Sequence, residues 1–257
     1  MFKIIKSNAH QTGRFGDLDL LRGIAILAMI VFHFTFDLAY FGLIAADTIY
    51  RPGWILFQQT IAGTFIFVAG VGFDLCHGRG IRWGYVKKRI LVLGTLSLLI
   101  SLVTYVIFGP FWIKFGILHC ILACSLIALS AVRLSTLMLG ALTGLLFILY
   151  YYLDPPMNIP NTYDFLIRTI HPHYSVDYRP IFPWLVVFFA GMVSARFIWR
   201  SSGGFGEEFN ARILRYRSLN YICYLGKNSL LIYIIHQPIL FSALYLFLFI
   251  IQLYYLT

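Results

Sequence analysis

Charge is scarce in this chain: 12% of its 257 residues are Asp, Glu, Lys or Arg, about half of the ~25% that soluble globular chains carry. Acidic residues number only 10. With 60% hydrophobic residues and a mean hydropathy of +0.81, an ordinary soluble domain is excluded. Cysteine is scarce too. Cys76, Cys120, Cys124 and Cys223 contain no C-x-x-C pair, and Cys120 and Cys124 lie in an apolar run. A disulfide framework and a zinc site are therefore not expected, and buried, inert thiols are. No Gly-rich phosphate loop, G-x-S-x-G or H-E-x-x-H occurs, so the enzyme classes those motifs mark lack support. No internal repeat or low-complexity tract is visible.

Long apolar runs are what the chain has in abundance. They predict an all-α, polytopic transmembrane bundle of about seven spans, at roughly 18–41, 54–76, 88–109, 113–132, 134–153, 181–200 and 228–255, forming one domain over residues 1–257. Pro52, Pro110, Pro155, Pro156, Pro180 and Pro183 mark ends or first turns, and Pro238 falls inside the last run, where it kinks the helix. The basic start (Lys3, Lys6, Arg14) resembles a signal peptide. The run that follows is too long for one, carries His33 and Asp37, and lacks a small-residue cleavage site. It is read as the first helix.

The formal charge of +10 could indicate nucleic acid, but its distribution indicates a membrane. With the N-terminus inside and the C-terminus outside, 16 of the 20 Lys and Arg fall on the cytoplasmic side, leaving Arg51, Lys114, Arg168 and Arg179 outside. Topology and anionic lipid account for most of this charge, and no nucleic-acid partner is expected. Residues 200–212 read as an inner loop and 154–180 as the one long outer loop.

The first run, "LLRGIAILAMIVFHFTFDLAYFG", holds Arg22, His33 and Asp37. Eleven residues at about 100° each leave about 20° after three turns, so Arg22 and His33 share a helix face, about 16 Å apart along the axis. Asp37, four residues on, and Asp19, three before Arg22, fall there too. Ionisable groups deep in a span usually face the bundle interior and mark a site. An Asp one turn from a His can orient the ring and stabilise the imidazolium, as a general base requires. Elsewhere, "GKNSLLIYIIHQP" brings Ser229, Tyr233, His236 and Gln237 near one face of the last helix. "FGILHC" puts His119 in the fourth helix, and "VAGVGFDLCHGRG" puts Asp74 at the inner end of the second. Gly63, Gly70 and Gly72 there allow close helix packing.

Taken together, "DLDLLRGIAILAMIVFHFTFDLAYFG" resembles the opening helix of the heparan-α-glucosaminide N-acetyltransferase catalytic-domain-like membrane proteins. "FGILHC", "VDYRPIFPWLVVFFAGM" and "LGKNSLLIYIIHQPIL" resemble the bacterial branch of that family. The ten residues between Arg22 and His33 are also the spacing of the type-3 membrane acyltransferases. The resemblance covers nearly the whole chain. It implies a helical bundle in a prokaryotic cytoplasmic (inner) membrane that takes an acyl group from acyl-CoA at the inner face. The acceptor would be a hydroxyl or amine, often of a sugar, on the other side. By that likeness His33 is the catalytic base and Arg22 lies on the CoA side. There is one departure. In the lysosomal enzyme of the family asparagine aligns with His33, and the essential histidine lies where this chain reads "LIAAD", residues 43–47. The amino-sugar substrate therefore does not carry over.

On this reading acetyl-CoA is the donor and a glycan the acceptor, with membrane lipid around the chain, no metal, and homo-oligomerisation left open. Arg22, Asp19, Arg89, Lys227, Asn228 and Ser229 are candidates for the CoA end, where Arg and Lys hold phosphate and a helix N-terminus favours anions. Arg82, Lys87 and Lys88 are further basic candidates. His33, Asp37 and His236 are the candidate catalytic groups. Tyr233, His236 or Gln237 would donate to the thioester oxyanion. His119, with Tyr163, Asp164, Arg168, His171, His173, Asp177, Tyr178 and Arg179 of the outer loop, would receive the acceptor. A proton-coupled transporter using the His33–Asp37 pair is the rival reading, disfavoured by the lack of a repeated half. A non-catalytic assembly partner is a third.

Overall fold

The computed structural model describes residues 15–153, 177–202, 204–205, 209 and 215–256. The predicted features at Lys3, Lys6, Arg14, Tyr163, Asp164, Arg168, His171, His173 and Arg212 lie outside the described residues. Eight helices carry the described fold: α1 (Gly16–Tyr40), α2 (Pro52–His77), α3 (Trp83–Phe108), α4 (Ile117–Ala131), α5 (Thr136–Leu153), α6 (Ile181–Ser194), α7 (Arg217–Lys227) and α8 (Ser229–Leu256). No strand occurs among the described residues. Five helices are long and apolar enough to cross a membrane: α1, α2, α3, α6 with its continuation to Trp199, and α8. Two shorter apolar helices, α4 and α5, accompany them. The protein is thus a multi-pass, all-helical membrane protein. With α6 taken to Trp199, the expected runs match these helices to within five residues at each end. The exception in kind is α7, an amphipathic helix between the last two runs, beyond the inner loop expected at 200–212.

Local chemistry accounts for the helix limits. Asp17 and Asp19 stand in the first turn of α1, where the helix dipole favours negative charge. The helix ends in a Schellman turn: Gly42 adopts φ +73°, its amide bonds to the Ala39 carbonyl at 3.1 Å, and the Leu43 amide bonds to the Leu38 carbonyl at 2.9 Å. Many leucines, valines and aromatics on α3 and α8 are exposed, among them Leu91, Leu102, Val106, Leu231, Ile239 and Phe247. On a helix solvated by lipid tails such a surface is expected.

The chain divides into two compact units, residues 1–61 with 202–257, and residues 62–201. In the first, the N-terminal half of α1 lies against α7 and its C-terminal half against α8. A Cβ added at Gly23 would run into the Ile222 carbonyl, and one at Gly226 into the Asp19 carbonyl. The two backbones therefore touch, as small residues permit in membrane helices. Asp17 closes the same end by accepting from the Phe205 amide at 2.9 Å. Cys223 Sγ donates to the Gly16 carbonyl at 3.5 Å, and burial together with the Asp19 carboxylate pushes its pKa up, keeping it a thiol. Aromatic contacts pin the far end, with the Phe241 ring 4.9 Å from Phe41 and 5.5 Å from Tyr40.

In the second unit α6 is the central element, packed against α2, α4 and α5. Gly70 and Gly191 repeat the reciprocal device: a Cβ on either would strike the other helix's backbone, at Phe188 and Phe67 respectively. Gly63, grouped with them as a packing residue, meets Trp184 only at ordinary distance, 3.6 Å. Beyond Ser194 the helix widens into a π-turn over Ala195–Trp199, which holds Arg196.

Candidate active site in the first unit

α1 and α8 bring together residues about 200 positions apart in sequence. The imidazoles of His33 and His236 meet edge to face, 4.9 Å between centroids at 62°. One position further along α8, Gln237 Nε2 donates to Asp37 Oδ1 at 2.6 Å, a short bond of the charge-assisted kind. Asp37 is 0% exposed and His236 7%. The Tyr233 ring lies 5.9 Å from His236, one helical turn back.

The ring of His236 is oriented by its own helix. Nδ1 lies 2.7 Å from the Tyr233 carbonyl and 3.2 Å from the Ile232 carbonyl. Carbonyl oxygens only accept, so Nδ1 carries the hydrogen. In the neutral ring Nε2 then holds the basic lone pair. Among the described residues, His236 Nε2, Asp37 Oδ2 and Gln237 Oε1 are buried without a hydrogen-bond partner. Each such group costs about 1–3 kcal/mol in a folded protein. Three of them on two consecutive residues and their partner carboxylate are the mark of a site rather than of packing. Asp37 was read as the orienter of His33. The bond found on its carboxylate comes from Gln237, whose expected role was toward the thioester.

Of the residues expected at the CoA end, Asp19, Arg22 and the Lys227–Ser229 junction lie at the other end of α1. Arg22 Nη1 donates to Asp19 Oδ1 at 3.1 Å. Gly226 rests on the Asp19 carbonyl, so Lys227, Asn228 and Ser229 follow directly beside this pair. Lys227 is exposed, and Asn228 Nδ2 donates to the Tyr224 carbonyl at 2.9 Å across the α7–α8 junction. Arg89 belongs to the second unit, where its Nε donates to Ser125 Oγ at 2.9 Å.

The described acceptor candidates, His119, Asp177, Tyr178 and Arg179, sit in the second unit around the start of α4, while Arg82, Lys87 and Lys88 stand at the start of α3. His119 Nδ1 accepts from the Gly116 amide at 3.2 Å, so Nε2 carries the hydrogen toward Ser101 Oγ, 3.4 Å away. Ser101 in turn donates to the Ile113 carbonyl at 2.7 Å. Both ring nitrogens of His119 are thus engaged in closing the α3–α4 connection. Arg179 pairs with Asp177 at 3.2 Å, donates to the Tyr178 carbonyl at 2.9 Å, and its amide bonds to the Phe115 carbonyl at 2.8 Å. Ser101 drew no notice in the sequence, because a lone serine in an apolar run carries no pattern. Asp74 is paired with two of the basic residues assigned to the inner side, Arg196 Nε at 2.9 Å and Arg200 Nη1 at 3.2 Å, on opposite carboxylate oxygens. Arg196 also donates to the Leu134 and Val132 carbonyls, at 2.7 and 3.0 Å.

A helical membrane protein with two imidazoles in contact, His236 buried and His33 half-buried, beside a carboxylate oxygen without a hydrogen-bond partner among the described residues is the class these observations define. The pattern of the heparan-alpha-glucosaminide N-acetyltransferase catalytic family matches residues 14–238. The chain belongs to that family, and so to the membrane acetyltransferases. No curated protein and no solved structure matches it.

Proposed function

We propose that the protein transfers an acetyl group from cytoplasmic acetyl-CoA to a hydroxyl or amine of an extracytoplasmic acceptor, a glycan or sugar. The observation that supports this most directly is His236 Nε2, a buried lone pair without a partner among the described residues, beside His33 in a member of an acetyltransferase family. In the topology read from the charges, seven spans cross a prokaryotic cytoplasmic membrane with the N-terminus inside. Arg22 and the Lys227–Ser229 junction then lie at the cytoplasmic end of α1 and α8, and His33, Asp37, His236 and Gln237 deeper. Arg22 and Lys227 serve the CoA phosphates, with the N-terminus of α8 behind them. The pantetheine arm carries the thioester toward the histidines, which take the proton of the attacking acceptor. Tyr233 and the protonated imidazole are the donors available to the thioester oxyanion.

The test is acetyl-CoA turnover by purified protein, read as free CoA, with a crude glycan extract as acceptor. Wild type is expected to release CoA, and His33→Ala and His236→Ala to lose that release while still binding acetyl-CoA. Well-folded protein that neither binds nor cleaves acetyl-CoA would overturn the reading. Solute flux into proteoliposomes without acyl-CoA would replace it with a transporter.

A further inference from the structure

Resting on the acetyltransferase reading, the geometry points to an acceptor that reacts through a hydroxyl, held by a second hydroxyl on the Asp37–Gln237 pair, and thus to O-acetylation rather than N-acetylation. The three unpartnered atoms of the site, His236 Nε2, Asp37 Oδ2 and Gln237 Oε1, are all acceptors. The direction of the Gln237 amide is set by chemistry: its NH₂ must face the carboxylate at 2.6 Å, which leaves the carbonyl oxygen as the outward function. Likewise the bond from His236 Nδ1 to the Tyr233 carbonyl leaves Nε2 as an acceptor. The atoms left open there are all acceptors, and they select a ligand group that offers donors to them. Asp37 is 0% exposed and His236 7%, so both are built into the fold rather than borrowed from its surface.

Hydroxyls and an ammonium both meet that demand, and reactivity separates them. An ammonium offers three donors and no lone pair. The carboxylate that binds it also holds it in its unreactive form. A hydroxyl donates its hydrogen and keeps its lone pairs for attack. In the resulting step the acceptor O–H bond breaks and its proton moves to His236 Nε2. The oxygen forms a bond to the acetyl carbonyl carbon, the C–S bond breaks, and the CoA thiolate leaves. It takes the proton back from His236, so that an alcohol and acetyl-CoA become an ester and CoA with nothing further consumed. Gln237 is a positioning residue here: it acts by fixing which oxygen of Asp37 faces the acceptor.

The experiment uses the full chain in a sugar-free detergent with radiolabelled acetyl-CoA and two probe acceptors, methyl α-glucopyranoside and glucosamine. Hydroxylamine separates ester, which it cleaves, from amide, which it leaves. Wild type is expected to give ester on both probes, at least tenfold over amide on glucosamine. Asp37→Asn keeps the shape of the site and turns Oδ2 into a donor. It is expected to raise the KM for methyl α-glucopyranoside about tenfold or more, leaving the KM for acetyl-CoA unchanged. Predominant amide on glucosamine overturns the proposal, as does cleavage of acetyl-CoA with ester on neither probe, or a KM for the glucoside that Asp37→Asn leaves within twofold. In each of those outcomes acetyl-CoA is still consumed and the acetyltransferase reading stands. Absence of acetyl-CoA binding and cleavage would instead defeat that reading itself. The ester-to-amide ratio of wild type needs no variant and decides the matter even if Asp37→Asn fails to fold.

Discussion

Asp37 in the first unit and Asp74 in the second are both 0% exposed carboxylates on apolar helices. Their surroundings differ in one respect. Asp74 has a guanidinium on each oxygen, Arg196 on one and Arg200 on the other. Asp37 has a neutral amide on one oxygen and, among the described residues, no hydrogen bond on the other. Charge buried with full compensation serves the fold, because removing a partner leaves an ion stranded. Polar groups buried with atoms to spare keep a standing cost, which a fold tolerates where something else is to be bound. The two carboxylates thus differ in saturation rather than in burial, and on the proposed function that difference separates a structural role from a binding one.

The contrast can be broken by exchanging the outcomes. The largest effect is expected from His236→Ala, which should lower acetyl transfer by about 10²–10⁴-fold with little change in the melting midpoint in detergent. Asp74→Ala should do the reverse. It strands Arg196, whose side chain is 8% exposed, and costs about 3–5 kcal/mol of stability. A lowered melting midpoint with the KM for acetyl-CoA retained in the surviving fraction checks it. Equal damage to activity and stability from both variants would erase the distinction. Gln237→Leu should come next, costing about 1–3 kcal/mol through the unpaired Asp37 oxygen and raising acceptor KM more than it lowers stability. Gly226→Val, which forces a side chain onto the Asp19 carbonyl, should cost about 1–3 kcal/mol as a pure packing defect. The smallest effect belongs to exposed Lys227: replacement by Ala should raise the KM for acetyl-CoA about fivefold or less, and the difference should vanish at high salt.

Much of the fold was legible because lipid-soluble helices announce themselves as runs. The run read at 181–200 became Ile181–Ser194 with its π-turn, and 228–255 became Ser229–Leu256. α7 was missed for the same reason: "RSLNYICYLGK" is not a run. Leu219, Ile222, Cys223 and Gly226 nevertheless recur at helical spacing, and a search by period instead of by mean hydropathy would have found it. In the site, His33, Asp37, His236 and Gln237 were each legible as polar groups inside spans. Their pairing was not. Which residue of α8 meets which residue of α1 depends on the register of two helices about 200 residues apart, set by the Gly23–Ile222 and Gly226–Asp19 contacts and by Phe241. One sequence carries no record of that register. Asp74 and its arginines show the same limit. The arginines are legible as basic residues of the expected inner side, but their carboxylate partner lies more than 120 residues earlier.

Arg196 joins a carboxylate on α2 to the two carbonyls that close α4, from a turn where its own helix is widened. Three elements therefore draw on a single side chain, and free energies assigned to them one at a time must overlap. Replacing Asp74 and Arg196 together should cost less than the two single replacements added, since the first already forfeits part of what the second removes. A stability cost measured at either position thus belongs in part to the other.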